Sequence, residues 1–329
     1  METKSYRGTL FVTIGAIVAL LAAIGLFIIV VDPYQQYRPH TDYLGNQRME
    51  IAGVARHHDY DAFISGSSMA MNHYPAQADS LWGWKTKNFS LMGATDDDYA
   101  VILPFIISRG KVRNIVLGID FFSFARQRGA VNPYLYDDNL WNDYEYLWNY
   151  TSLKNAIEYL RNPRPEKGLY HFNSPYGREE LFDSYDRTKD VGYPEEIFEL
   201  DAMKERFDAS VLKAVSESPD SVRWHIYFPP YSIGEFIIYD KYGDLDANLA
   251  LKRHMIERLS ALPNVDLYDF QTSPWITNLD QYMDLRHHSH AYNRDILRSI
   301  REGRYRANSD GAEPLLRSLV AQYRDSFPQ

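Results

Sequence analysis

The chain opens on a charge-free apolar run from Thr9 to Val31, and beyond it apolar and polar residues alternate in blocks of strand and helix length. The run holds Leu10, Phe11, Val12 and Ile14, then Ile17 to Leu21, then Ile24 to Val31. At roughly 1.5 Å per residue such a helix is about 34 Å long, enough for a hydrocarbon core of about 30 Å. A cleaved signal peptide has an apolar region of only about 7–15 residues and a small-residue cleavage site. Here the run is longer and ends in Phe27-Ile28-Ile29-Val30-Val31 before Asp32-Pro33. The pattern therefore predicts an uncleaved transmembrane anchor at 9–31. Lys4 and Arg7 precede it and Asp32 follows it. The excess of positive charge on the N-terminal side puts residues 1–8 in the cytoplasm and the rest outside, in the periplasm or at the cell surface.

Residues 32–58 read as an extended linker, and 59–329 as one extracytoplasmic domain. Asp61 to Ser65 is a short apolar strand, Pro75 to Trp82 a helix and Thr86 to Leu91 a second strand. Thr95 followed by Asp96, Asp97 and Asp98 is a helix start, an N-cap with acids in the first turn. That helix runs to Ser108 and ends at Gly110. Val112 to Ile119 is a buried strand by its apolar run. Residues 127–197 break the rhythm with Tyr, Trp, Asn, Asp and Pro and read as an insertion carrying short helices, such as Leu153 to Leu160. Alternation then resumes: helix 200–216, strand 222–228, helix 244–261, strand 265–270, and helices near 291–302 and 312–325. Strand–helix alternation implies an α/β fold, a three-layer α/β/α sandwich around a parallel sheet, with ligands at the carboxyl ends of the strands.

A formal net charge of -9 argues against a nucleic-acid partner and against a polybasic grip on anionic lipid. There is no cysteine, so thiolate and disulfide chemistry are excluded. Three segments fall at strand ends. Gly66-Ser67-Ser68-Met69 places serines on a strand-to-helix turn, where a nucleophile is exposed at a sheet edge; an ordinary capped turn has the same composition. Asp284-Leu285-Arg286-His287 spaces a carboxylate and an imidazole at i, i+3, side by side on one helical turn. The carboxylate would fix the ring tautomer and leave the other nitrogen to take a proton from serine; a surface Asp–His pair has the same spacing. Asn88-Phe89-Ser90-Leu91-Met92-Gly93-Ala94-Thr95 places a glycine before a helix start, where a backbone N–H can face a developing oxyanion.

In their order these segments resemble the blocks of the SGNH (GDSL-like) hydrolase superfamily. Gly66-Ser67-Ser68 is similar to the first block, Gly93 to the second and Asp284-x-x-His287 to the last. Within it the chain resembles the membrane-anchored branch that contains the D-alanine transfer protein DltD and the alginate O-acetylation proteins. The shared features are the anchor, Asp32-Pro33-Tyr34, a GSS in place of GDS, Asn88-Phe89-Ser90 and Gly118-Ile119-Asp120-Phe121-Phe122. Phe228-Pro229-Pro230-Tyr231-Ser232 and Tyr282-Met283-Asp284 complete the set.

The resemblance implies Ser68 as nucleophile, His287 as general base and Asp284 as its orienting partner. It implies an oxyanion hole from the Ser68 and Gly93 N–H groups and a third-block asparagine. The matching position is Asp120, and an ionised carboxylate cannot donate to an oxyanion. Either Asp120 has another role, or a different donor, Asn72 or Asn88, completes the hole. The implied activity is acyl-ester transfer or hydrolysis on a cell-envelope glycopolymer, beside a membrane-bound O-acyltransferase partner; a catalytically weak scaffold or polymer-binding subunit is the alternative. No cofactor is implied, and a zinc reading of His287, His288 and His290 with Asp284 yields to the triad. Tyr134, Trp141, Trp148 and His288 are candidate substrate contacts, since aromatic faces suit sugar rings. The same insertion aromatics equally suit the core of a small helical subdomain.

Overall fold

The computed structural model describes residues 2–43, 45–126, 131–165 and 175–328. They form two compact units, Met1–His58 with Asn132–Leu169, and Asp59–Val131 with Tyr170–Gln329.

The second unit is built on five parallel strands: β1 (Ala62–Ser65), β2 (Thr86–Asn88), β3 (Asn114–Gly118), β4 (Arg223–Phe228) and β5 (Val265–Asp269), in the order β2-β1-β3-β4-β5. The strands are short and nearly continuous in apolar residues because helices cover both faces. Ile64, Val116, Tyr227 and Tyr268 share one face and pack with Ala78, Ile296 and Ile300 from the helices Pro75–Trp82 and His290–Glu302. Phe63, Leu117, Ile226 and Leu267 alternate with them and are buried on the other face. The helices Asp96–Ser108, Leu200–Phe207 and Leu245–Ser260 flank the sheet as well. This is the expected α/β sandwich. The start of Asp96–Ser108 is fixed by a reciprocal capping box, with Thr95 bonded to the Asp98 backbone and Asp98 to the Thr95 backbone. Strand order reverses between β1 and β3, which opens a crevice at their carboxyl ends.

Within the first unit, residues 32–58 are not an extended linker. They carry the helix Gln47–His57, with Ile51, Ala52, Val54 and Ala55 buried. Gly53 is required there, since a Cβ would lie 2.2 Å from the Tyr34 carbonyl oxygen. The long N-terminal helix Glu2–Val31 contains Tyr6–Val31, long and apolar enough to cross a membrane by length and composition. The expected insertion 127–197 divides: its part at 132–165 belongs to this unit and its part at 175–197 to the sheet unit, while 127–130 and 166–174 lie outside the described residues. The helix expected at Leu153 to Leu160 is the middle of Tyr150–Arg161.

Candidate active site

The first-block turn is built by Gly66 and Ser67. Gly66 has φ 148°, and a Cβ there would lie 2.8 Å from Ala70 Cβ and 2.9 Å from the Gly118 carbonyl oxygen. Only glycine lets the end of β1 turn this closely over β3. Ser67 is the N-cap of the short helix Ser68–Met71; its Oγ accepts from Met69 N–H at 3.2 Å. Ser68 is therefore the first helical residue, and its Oγ lies 2.8 Å from His287 Nε2.

His287 and Asp284 meet, but not on a helical turn. The segment 283–287 is a bend ahead of His290–Glu302. Asp284 Oδ1 accepts the backbone N–H of Arg286 at 2.8 Å and of His287 at 2.7 Å, an Asx-type turn that folds the chain around the carboxylate. Oδ2 is then 2.7 Å from His287 Nδ1. Burial opposes the Asp284 charge, but the charge and hydrogen bonds of His287 outweigh it and hold the carboxyl at about 2. Burial also opposes charge on His287; Asp284 outweighs that and raises the imidazole above its ordinary value. With Nδ1–H directed at the carboxylate, Nε2 is the nitrogen left to accept from Ser68.

The turn is held from the loop after β4. Ser232 N and Oγ both donate to the Leu285 carbonyl, at 3.0 and 2.7 Å, and the Tyr282 hydroxyl donates to the Pro230 carbonyl at 2.9 Å. Tyr231, between them, donates to Asp120 Oδ1 at 2.5 Å. Asp120 is fully buried, and burial raises its carboxyl above the ordinary value against the pull of Ser67, Tyr231, Arg286 and His287. Its Oδ2 has no hydrogen-bond partner among the described residues. Asp120 thus holds the β4 loop from behind through Tyr231, and is not one of the cleft-lining residues.

Asn88 is spent elsewhere. Its Nδ2 donates to the carbonyls of Ala70, Met71 and His73 at 3.1, 3.3 and 3.0 Å, and its Oδ1 accepts from Ser90 N–H. It ties off the helix that carries Ser68 and has no donor left for an oxyanion. Asn72 ends that helix and is buried outside the cleft lining.

The cleft itself, about 220 Å³, is lined by Ser68, Met69, Met92, Gly93, Phe122, Arg126, Arg286 and His287. Gly93 has φ 58° in the loop leading to the Thr95 cap, so the second-block glycine and the serine share one space. Its far wall is an ion network. Arg286 donates to Glu196 at 2.8 and 3.0 Å and to Glu235 at 2.6 Å, and its guanidinium lies 3.9 Å from the centre of the Tyr193 ring. Arg126 donates to Glu196 at 2.6 Å and covers Phe122. Both glutamates are fully buried at the side chain. None of these four charged residues stood out in the sequence. Arg286 lies inside the Asp-x-x-His motif, and that position was the one available signal.

Of the candidate substrate contacts, His288 is buried behind the cleft against Tyr292, and burial lowers its ring to about 4. It is not among the residues that line this cleft, and its backbone bridges to Tyr282. Tyr134, Trp141 and Trp148 belong to the other unit. Tyr134 lines a cavity of about 280 Å³ there with Gln36, Tyr37, Arg56 and Asp143, while Trp141 and Trp148 are exposed.

The fold and this side-chain relay define a doubly wound α/β domain with a serine, a histidine and an aspartate in hydrogen-bond sequence at its switch point. No family model matches the chain, and no curated protein is detectably similar to it. Among solved structures it is similar to a provisionally named platelet activating factor from Streptococcus pneumonia, at 12% identity and a TM-score of 0.42, covering 78% of this chain and 90% of that one.

Proposed function

We propose that the chain is a membrane-anchored serine acyl-ester enzyme of the SGNH type, acting on a cell-envelope or secreted glycopolymer. One observation carries the reading: Ser68 Oγ, His287 Nε2 and Nδ1, and Asp284 Oδ2 form a continuous relay at 2.8 and 2.7 Å. That is hydrogen-bond reach for a nucleophile, its base and the base's orienting group.

In the proposed reaction Ser68 Oγ attacks the acyl carbonyl carbon and its proton passes to His287 Nε2. Asp284 stabilises the imidazolium without taking the proton. The oxyanion faces Ser68 N–H, which as the first helical residue has no acceptor inside its own helix, with Gly93 as the second donor. Collapse breaks the C–O bond to the leaving alcohol, which receives the proton from His287. The acyl-enzyme is then attacked by a polymer hydroxyl, giving transfer, or by water, giving hydrolysis. The motif order favours transfer, with a membrane-bound O-acyltransferase supplying the acyl group. The cleft volume suits a small acyl group with the polymer outside it.

Asp120 favours a second reading. The third-block donor is replaced by a buried carboxyl, which suits a slow site on a scaffold or polymer-binding subunit. Ser68→Ala in cells separates the two. The enzyme reading predicts loss of ester-linked acyl groups from the polymer with protein abundance and membrane fractionation unchanged. Unchanged acylation would reject it and leave the scaffold.

A further inference from the structure

In the unit of Met1–His58 and Asn132–Leu169, the insertion runs alongside the apolar helix instead of starting where that helix ends. Tyr144–Leu147 and Tyr150–Arg161 pack against Glu2–Val31. The Trp148 indole Nε1–H donates to the Leu21 carbonyl at 2.8 Å. Gly25, one turn on, makes room: a Cβ there would lie 3.3 Å from Nε1. Gly25, Ile28 and Val31, spaced three apart on one ridge, are buried, and the Tyr146 hydroxyl donates to Asp32 at 3.0 Å where the helix ends.

The covered stretch from Leu21 to Val31 rises about 15 Å, half of a hydrocarbon core of about 30 Å. The whole run from Thr9 exceeds that core by only about 4 Å, so the covered part cannot all stand clear of the bilayer. A body bound there must present lipid-compatible groups outward. It does: Trp141 is 92% exposed, Tyr150 80%, Leu140 76%, Leu160 59%, Tyr144 57% and Trp148 51%. In water these large side chains would all lie bare, whereas Trp and Tyr concentrate at membrane interfaces. Lys154, Glu158 and Arg161 share the exposed side of Tyr150–Arg161, where long stems can lie on apolar surface with their heads in water.

We infer that residues 140–161 are seated in the bilayer leaflet on the domain side, at the boundary of headgroups and acyl chains, with the exposed aromatic and leucine side chains against lipid. The inference rests on the proposed anchor, and it goes beyond a single-helix tether: the unit grips the membrane through a shelf as well as a span.

The test uses the full chain in phosphatidylcholine vesicles containing a lipid brominated high on its acyl chains, which quenches nearby tryptophan. The chain has 6 tryptophans. Only Trp141 and Trp148 lie in this unit; Trp82, Trp84, Trp224 and Trp275 lie in the other. Quenching of the wild type, reduced at least threefold in W141F/W148F, is expected. Trp141→Phe alone, at a side chain almost wholly exposed, reports the same effect without touching the bond to Leu21. Equal quenching of wild type and variants, or none in protein that remains in carbonate-washed vesicles, overturns the shelf and leaves the anchor. Shielding of both tryptophans from bromolipid and from aqueous acrylamide also overturns it, in favour of a protein occupant. Failure to sediment with vesicles overturns the anchor and the shelf together.

Discussion

Replacing Arg286 with methionine tests whether the ion network holds the reacting residues in place. Methionine fills much of the stem volume but removes the guanidinium from Glu196, Glu235 and Tyr239. Arg126 still pairs with Glu196, so the residue left stranded is Glu235, fully buried with Tyr193 as its remaining donor. Removing one partner of a buried ion pair costs about 3–5 kcal/mol, because the other charge stays behind. In a domain of this size each kcal/mol lowers Tm by about 2–4 °C, so the fall is roughly 6–20 °C. Burial already raises the Glu235 carboxyl, and Arg286 pulls it down. Without Arg286 it rises further and the folded state takes up a proton that the unfolded state does not. Stability then increases as pH falls, so the deficit is smaller at pH 5 than at pH 8. Adding Glu235→Gln removes the stranded charge and should recover roughly 1–2 kcal/mol. Urea unfolding of the purified full chain at both pH values measures all three. An Arg286→Met variant within about 1 kcal/mol of wild type at both pH values would show that the network does not hold these residues in place.

Labelling of Ser68 by a fluorophosphonate should fall as pH drops, with a midpoint above the ordinary histidine value of about 6.5, since His287 must be neutral to act and Asp284 raises it; Asp284→Asn should move that midpoint down. Ser68→Ala should remove labelling entirely, and Asp284→Asn should slow ester turnover by roughly 10³–10⁴, the smaller loss because nucleophile and oxyanion donors remain. Asn88→Ala removes the side-chain donor of the Met71 and His73 carbonyls, while the Ala70 carbonyl keeps the His73 N–H, and should destabilise the domain by roughly 1–3 kcal/mol, read by urea titration. Asp120→Asn keeps the acceptor for Tyr231 and removes a buried carboxyl whose raised value lowers stability as pH rises; thermal scans should show it more stable than wild type at pH 8 and little changed at pH 4.

The sheet was legible because its strands are short apolar runs between clear helix signals, and Thr95 with three aspartates marks one helix start unambiguously. The helix Gln47–His57 was not: Gly53 sits at its centre and polar residues flank it, so its stability comes from packing against Tyr34 and Gln35 and not from propensity. Ser68, Asp284 and His287 could be named from block order, yet their meeting depends on contacts 219 residues apart. The Asp–His spacing predicts a helical i, i+3 pair and the segment is an Asx-type turn, because a side-chain oxygen taking two backbone N–H groups leaves no periodicity to detect. Asn88 illustrates the reverse case. Its position near the second block suggested a donor to substrate, and only the three carbonyls around it reveal that its N–H groups are used. The Arg126, Arg286, Glu196 and Glu235 network was illegible for the same reason: its members are drawn from four distant segments, and single charged residues carry no local pattern.

The most direct measurement of the central claim is a site-mapped reaction of the folded full chain with a fluorophosphonate, followed by peptide mass spectrometry. One modified residue is expected, Ser68, with Ser67 unmodified because it is buried as the N-cap, and no label in His287→Ala. Label on Ser67, label that persists in Ser68→Ala, or no label on protein shown to be folded would contradict it.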